Sequence, residues 1–312
     1  MKRRIISLVV VVAFFSLPYF LLDVEKRVMD DNARKGSAGS YVRLKDGVVH
    51  YELSGPPSSR LVVLIHGGSV PYFIWDRTVP ALVNAGYRVL RYDLFGRGFS
   101  DRPDVVYDRA LYRGQLLDLL TALNIKEQID ITGVSMGAAI AADFTNSLPE
   151  KVRKLCLMNP VGFPVQLPAS EKLMQIPFLG EYVFALIGPA TMVSFVKKDF
   201  VRPESCPPEY VSAYKDQMTY RGFRHAMIST LRHMPLNDMS DVYAAVGKQQ
   251  RPILLLWGKE DRITPFANSE KAMAVMPRAQ LLPIEGLGHT AMFEGSDVVN
   301  PVLIEFLQWT NF

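Results

Sequence analysis

Cysteine is nearly missing from this chain, with two residues in 312, Cys156 and Cys206. Two cysteines cannot build a disulfide framework. Cys156 lies in the apolar run Lys154-Leu155-Cys156-Leu157-Met158 and reads as a small core residue. Cys206 precedes Pro207-Pro208 in a loop. No cysteine and histidine spacing resembles a zinc site, so no metal is expected. Charge of one sign is lacking as well. The net charge is +4, and Lys2, Arg3 and Arg4 supply three of those charges, leaving +1 for the rest. A nucleic-acid binder needs a basic patch in its folded body, and that class is set aside. There is no internal repeat. The apolar fraction of 49% is ample for a buried core and excludes wholesale disorder. The length suits one large domain with an insertion, or two modest ones.

Charge is also absent from Ile5 to Leu22, eighteen residues that follow Lys2-Arg3-Arg4. As a helix this run spans about 27 Å, enough for the hydrocarbon core of a bilayer. It lacks the small-residue cleavage site that a signal peptide requires, ending instead in Leu17-Pro18-Tyr19-Phe20-Leu21-Leu22. The expectation is an uncleaved single-pass transmembrane anchor; the alternative is a protein secreted after signal-peptide cleavage. Basic residues at the extreme N-terminus place that end inside and the remainder outside the cytoplasm, although Lys26 and Arg27 on the far side oppose this. Asp23 to Gly39 is charged, then rich in Gly and Ser, and reads as a tether. Residues 1–39 are therefore expected to be anchor and tether.

From Tyr41 a regular rhythm begins. Tyr41–Leu44 and Val48–Leu53 flank Asp46-Gly47, a hairpin signal. Leu61 to Ile65 is a continuous run of Leu and β-branched residues, as in a strand buried on both faces. Helix and strand then alternate through about Trp75–Ala85, Tyr87–Tyr92, Arg109–Leu123, Gln128–Thr132, Ala138–Ser147 and Leu155–Met158. This predicts a mostly parallel, doubly wound α/β sheet opened by an antiparallel hairpin. The rhythm stops over residues 161–248, where helix-like stretches are separated by prolines, Pro177, Pro189, Pro203 and Pro235 among them. It resumes with Pro252–Trp257, Asn268–Val275, Gln280–Ile284 and Val298–Trp309. Residues 161–248 are read as a helical cap inserted into a core of residues 40–160 and 249–312.

The chain is organised around Gly133-Val134-Ser135-Met136-Gly137. The pentapeptide sits between a strand pattern and a helix pattern, with small residues Ala138, Ala139, Ala141 and Ala142 behind it. In that context Gly-x-Ser-x-Gly is a nucleophile elbow: the serine occupies a strained corner, and Gly133 and Gly137 let strand and helix pass closely. A serine hydroxyl needs a base, and the base needs an orienting group. Among five histidines, His50 lies in the first hairpin, and His225 and His233 have no motif around them. His66 opens His66-Gly67-Gly68 after a strand and suits holding a loop. His289 stands in Gly286-Leu287-Gly288-His289, a glycine-rich loop after the last strand that can reach back over the sheet edge. The acid candidate is Asp261 in Gly258-Lys259-Glu260-Asp261-Arg262-Ile263-Thr264-Pro265, with Glu260 as its rival.

Five segments together resemble the α/β-hydrolase superfamily: His66-Gly67-Gly68, Asp93-Leu94-Phe95-Gly96-Arg97-Gly98-Phe99-Ser100, the elbow, Gly258–Pro265 and Gly286–Glu294. They follow its Ser-Asp-His chain order. The resemblance implies the α/β-hydrolase fold, with Ser135 as nucleophile, His289 as base and Asp261 as its orienter. Some members place the acid after the preceding strand, a position that is Asn159 here. It further implies an oxyanion hole made by the backbone N–H of Met136 and of Gly68, with Ser69 as alternative second donor. The Asp93–Ser100 stretch is expected to be structural, and no cofactor is required.

Relatives with dehalogenase or epoxide-hydrolase activity carry aspartate at the elbow, so Ser135 argues against both. Carbon–carbon bond hydrolases of ring-cleavage pathways keep the serine but typically have tryptophan after the histidine, where this chain has Thr290. Cofactor-free perhydrolases share the triad. Six of the thirteen methionines (Met174, Met192, Met218, Met227, Met234, Met239) fall in the cap beside an apolar cluster from Leu173 to Ile187, which suits an adaptable apolar pocket. A greasy cap joined to a membrane anchor resembles membrane-tethered monoacylglycerol-lipase-like enzymes. The expected activity is that of a serine carboxylesterase on acyl esters, with lipid-derived esters implied by that resemblance, and with a non-catalytic ligand-binding role on the same fold as the alternative.

Overall fold

A computed structural model of the chain describes residues 21–165 and 169–309. The expected anchor at residues 5–22 therefore lies, except for Leu21 and Leu22, outside the described residues. A short helix α1 (Asp31–Arg34) precedes a hairpin of β1 (Ser40–Arg43) and β2 (Val48–Ser54). Then come β3 (Leu61–Ile65), α2 (Val79–Asn84), β4 (Arg88–Tyr92), α3 (Arg109–Ala122), β5 (Ile129–Val134), α4 (Met136–Ser147) and β6 (Val152–Met158). Five helices follow: α5 (Ala169–Met174), α6 (Leu179–Lys198), α7 (Pro208–Met218), α8 (Phe223–His233) and α9 (Ser240–Gly247). The chain closes with β7 (Ile253–Gly258), α10 (Asn268–Val275), β8 (Gln280–Ile284), α11 (Ala291–Glu294) and α12 (Ser296–Gln308).

The eight strands form one sheet in the order β1-β2-β4-β3-β5-β6-β7-β8, antiparallel at β1, β2 and β4 and parallel from β4 onward. Each central strand is buried on both faces. In β3, Leu61, Val63 and Ile65 join the cluster that also holds Leu116, Ala138 and Val242. Val62 and Leu64 join the opposite cluster with Trp75, Leu82 and Leu303. That two-residue alternation, with helices covering both sides, explains why the strand sequence is uniformly apolar rather than alternating.

Three local expectations are corrected. Helix is absent over Trp75–Asp76 as part of one long element: a 3-10 turn, Tyr72–Trp75, is followed by the separate α2. Pro189, expected to end a helix, lies inside α6. The residue before it is Gly188, which has no Cβ to clash with the proline ring, so the helix continues with one missing N–H. Finally, Asp23–Gly39 does not behave as a free tether. The Glu25 carboxylate accepts the N–H groups of Gly222, at 2.8 Å, and of Arg224. Arg27 pairs its backbone with Thr219 and Arg221 at 2.9 and 2.8 Å. The buried Arg34 meets Asp101. Charged side chains with specific hydrogen-bond partners on α7, α8 and the core hold this strap in place, which composition alone could not reveal.

Close approach dictates the glycines at the centre. A Cβ on Gly133 would stand 2.1 Å from the Gly137 carbonyl oxygen, and one on Gly137 would stand 2.4 Å from the carbonyls of Ile65 and His66. Gly114, in α3, faces nothing within 4 Å. Gly137→Ala should therefore lower stability by about 3 kcal/mol or more through overpacking. Gly114→Ala should raise it by about 0.5–1 kcal/mol through helix propensity. Urea unfolding of the two variants reads both signs, and a Gly137→Ala protein as stable as wild type contradicts the crossing described.

Candidate active site

The site begins where β5 ends. Ser135 adopts φ 56°, ψ −120°, a region that non-glycine residues rarely occupy and that costs about 1–3 kcal/mol. The corner is held by its own backbone: Ser135 N–H donates to Met158 O at 2.9 Å, and Ser135 O accepts Ala138 N–H at 3.1 Å. Met136 is the first residue of α4, where a backbone N–H has no acceptor within the helix. The positive end of the helix dipole lies at the same place.

Opposite the elbow, the carbonyls of Gly67, Gly68 and Ser69 after β3 are tied down. His66 Nε2 accepts Leu94 N–H at 2.9 Å, so the proton sits on Nδ1, which donates to Gly67 O at 2.8 Å. Burial pushes His66 down to about 4, which keeps it neutral at physiological pH. Arg97 Nε donates to Gly68 O at 2.7 Å, and Gln217 Nε2 donates to Ser69 O at 2.8 Å. In a trans peptide the N–H points opposite to the C=O. The Gly68 and Ser69 N–H directions are therefore set by His66 and Arg97 respectively.

His289 and Asp261 come together from the loops after β8 and β7. His289 Nδ1 lies 2.8 Å from Asp261 Oδ2, and both residues are buried. The Asp261 carboxylate also accepts Ile263 N–H at 2.7 Å, Thr264 N–H at 2.8 Å and the Thr264 hydroxyl at 2.8 Å. Its rival Glu260 has no contact with His289 among the described hydrogen bonds and ion pairs. Asn159 stands between the two loops. Its Nδ2 donates to the carbonyls of Gly288 and His289 at 3.1 and 2.8 Å, and its Oδ1 accepts Gly258 N–H at 2.9 Å. With Nδ1 engaged by Asp261, the other ring nitrogen of His289 is the one available to a hydroxyl. Burial pulls the His289 pKa down, but the Asp261 charge and hydrogen bond, with Asp199 adding to them, leave it raised above 6.5.

Ser135, Met136, Gly67, Gly68, Ser69 and His289 all line one cavity of about 970 Å³. It opens at the C-terminal ends of the strands and is roofed by α6 and α8. The α6 residues that face it (Phe184, Gly188, Thr191, Met192, Phe195 and Val196) follow helical spacing. Thus the α6 face toward the cavity is mostly apolar, and α6 is also the single helix among the described residues with the length and composition to cross a membrane. His50 belongs elsewhere: its Nδ1 lies 2.8 Å from Asp93 Oδ2 and its Nε2 2.6 Å from Ala38 O. That buried pair fixes the Asp93–Ser100 loop, where a Cβ on Gly98 would stand 2.0 Å from Asp93 Oδ2. His225 and His233 bond the carbonyls of Val105 and Ser229 at 3.0 and 2.9 Å.

Three side chains at the site have no motif to announce them. Arg97 lies in a stretch expected to be structural, and Gln217 reads as one polar residue of a cap helix. Asp199 ends α6 in Lys197-Lys198-Asp199, a pattern that looks like a solvated helix end. Instead it is 8% exposed and lines the cavity. Burial pushes its carboxyl up to about 7, with the nearby Asp261 charge adding to the shift and His289 opposing it. No cluster of histidine, cysteine and carboxylate groups that could hold a metal occurs among the described residues. Cys156 and Cys206 are both free and buried.

Comparison with known proteins gives a consistent picture. The profile described as the alpha/beta hydrolase family matches residues 62–302. A 2-hydroxy-6-oxononadienedioate/2-hydroxy-6-oxononatrienedioate hydrolase of Paraburkholderia xenovorans (strain LB400) is 30% identical over 291 residues, covering 88% of this chain and 96% of the relative. Among solved structures, a bromoperoxidase from Bacillus anthracis superposes with a TM-score of 0.73 at 22% identity, covering 86% of this chain and 100% of that one. A membrane phospholipase A superposes with a TM-score of 0.71 at 21% identity and covers 98% of both chains. The two structural likenesses establish the shared fold.

The electrostatics of His289 yield a pH prediction. A base must be neutral to accept a proton, and this imidazole is held above its ordinary value. In any reaction that uses His289 as base, the acidic limb of kcat/KM should lie above pH 6.5, with activity lost as pH falls through it. A pH–rate profile whose acidic limb lies below 6.5 contradicts the arrangement.

Proposed function

The chain belongs to the alpha/beta hydrolase family, and on that premise we propose that it is a serine hydrolase of carboxylic esters, lipid-derived esters included. The observation that carries this reading is that Ser135, at a strained corner beside a helix N-terminus, and His289, paired with Asp261, line the same largely apolar cavity. His289 removes the Ser135 proton as the oxygen attacks the ester carbonyl. The tetrahedral oxyanion is held by the N–H groups of Met136 and Gly68, donors fixed before the charge develops. Collapse expels the alcohol, protonated by His289, and water then attacks the acyl-enzyme along the same route.

The cavity wall favours an apolar acyl chain. Phe163, Phe184, Phe195, Met192, Met227 and Met234 line it, and burying an acyl chain there stabilises binding by about 0.8 kcal/mol per methylene. On the outer surface near α5 and α6, Leu173, Ile176, Phe178 and Leu179 are 42%, 48%, 89% and 40% exposed. Such a patch, together with the uncharged run at residues 5–22, supports a membrane-anchored enzyme that draws its ester from a lipid surface. In this reading the catalytic body lies outside the cytoplasm.

A second reading is hydrolysis of a carbon–carbon bond, as the printed name of the Paraburkholderia relative suggests for that protein. The exposed Arg262 at the cavity favours it, since it could hold a substrate carboxylate. Thr290 after the histidine speaks against it. The discriminating experiment compares p-nitrophenyl esters and monoacylglycerols of rising chain length with a 2-hydroxy-6-oxodienoate. Esters should give the higher kcat/KM, and Ser135→Ala should lower it at least ~10³-fold with the circular dichroism spectrum unchanged. Preferential cleavage of the dienoate overturns the ester reading, and near-normal turnover by Ser135→Ala removes the nucleophile.

A further inference from the structure

Asp199 is a buried carboxyl with nothing to bind. Its backbone is locked at the site: Asp199 O accepts His289 N–H at 3.0 Å, and Thr290 N–H and the Thr290 hydroxyl at 3.3 Å each. Its side chain makes no hydrogen bond or ion pair with any described residue, and the 8% of it that stays accessible belongs to the wall of the catalytic cavity. Tyr210, whose buried hydroxyl is also unpaired, does not line that cavity. Nor does Asp199 duplicate Asp261, because the Nδ1 of His289 is already taken. A buried polar group left unpaired is costly to the fold, and the cost is recovered when a ligand supplies the missing donor.

We propose that Asp199 selects the alcohol portion of the substrate by accepting a hydrogen bond from a free hydroxyl next to the scissile ester, so that the preferred substrates are partial esters of polyhydric alcohols. This rests on the ester-hydrolase reading above. The acyl chain then occupies the apolar wall, and the hydroxyl-bearing alcohol lies toward the end of α6, beside His289. An ester of a simple alcohol leaves the carboxyl unpaired in a cavity from which water has been displaced. Sites built to bond a hydroxyl discriminate strongly against analogues that lack it, for this reason.

The test uses the full-length chain in detergent and a matched pair of substrates, the glycerol monoester and the methyl ester of one fatty acid. Wild type should show the higher kcat/KM on the glycerol ester. Assayed well above pH 7, where the carboxyl is ionised, Asp199→Leu should lower the ratio of the two kcat/KM values about 10- to 100-fold, the range expected for a hydrogen bond to a charged acceptor. Asp199→Asn retains a carbonyl acceptor and should keep part of the ratio. Labelling of Ser135 by a fluorophosphonate reports that each variant is folded. Equal fractional losses on both esters assign Asp199 to His289 rather than to the substrate and overturn the proposal, as does an unchanged ratio in both variants. Turnover of neither ester by wild type brings down the ester reading itself, a failure distinct from turnover without preference.

Discussion

The backbone corner at Ser135 is the constraint on which the site depends. Holding a non-glycine residue at φ 56° costs about 1–3 kcal/mol, so the surroundings must over-determine it. They do so through backbone contacts: Met158 and Ala138 bond Ser135 directly, and Val161 N–H reaches Ser135 O at 3.4 Å. Because β5 must hand over to α4 within one residue, the first turn of the helix passes against β3. Gly133 and Gly137 are then obligatory, since any Cβ would enter a neighbouring carbonyl. One sharp turn thus places a hydroxyl, a helix N-terminus and the loop after β3 around the same point.

The same economy explains what could be read from the amino-acid order. The elbow, the parallel strands and the two loops bearing Asp261 and His289 are local patterns: a period of two, a period of 3.6, or glycine beside a polar residue. Strand limits at Gln280–Ile284 and helix limits at Asn268–Val275 coincide with those patterns. What stayed hidden depends on residues distant in the chain. Arg97 reaches Gly68 and Thr230, Gln217 reaches Ser69 and Gly98, and Glu25 reaches Gly222. None has a spacing that marks it. Asp199 was hidden for the opposite reason, because its local pattern of two lysines and an aspartate suggests solvent while its tertiary setting is the cavity that Ser135 and His289 line. Pro189 looked like a break because its helix-compatible neighbour, Gly188, carries the exception.

Three buried ionisable groups around the cavity are treated in three different ways, and the contrast bears on the chemistry. Asp261 is saturated, taking two backbone N–H groups, one hydroxyl and one imidazole; it can hold its charge in a low-dielectric site and so orient His289. Arg97 is wholly buried and has only neutral acceptors, the carbonyls of Gly68 and Phe95 and the Thr230 hydroxyl. The Asp199 carboxyl has no hydrogen-bond or ion-pair partner among the described residues.

Arg97 spends its described hydrogen bonds inside the protein, but its charge is not idle. A cationic donor on Gly68 O polarises the Gly68–Ser69 peptide and strengthens the Ser69 N–H, whereas the Gly68 N–H belongs to a peptide whose carbonyl is held by neutral His66. The two candidate second donors therefore stand on unequal electrostatic footing. A substrate that is neutral when it enters and becomes an oxyanion only at the carbonyl gains from this layout, because the buried positive charge acts once negative charge appears nearby. Once ionised, Asp199 penalises a substrate that arrives already anionic beside His289.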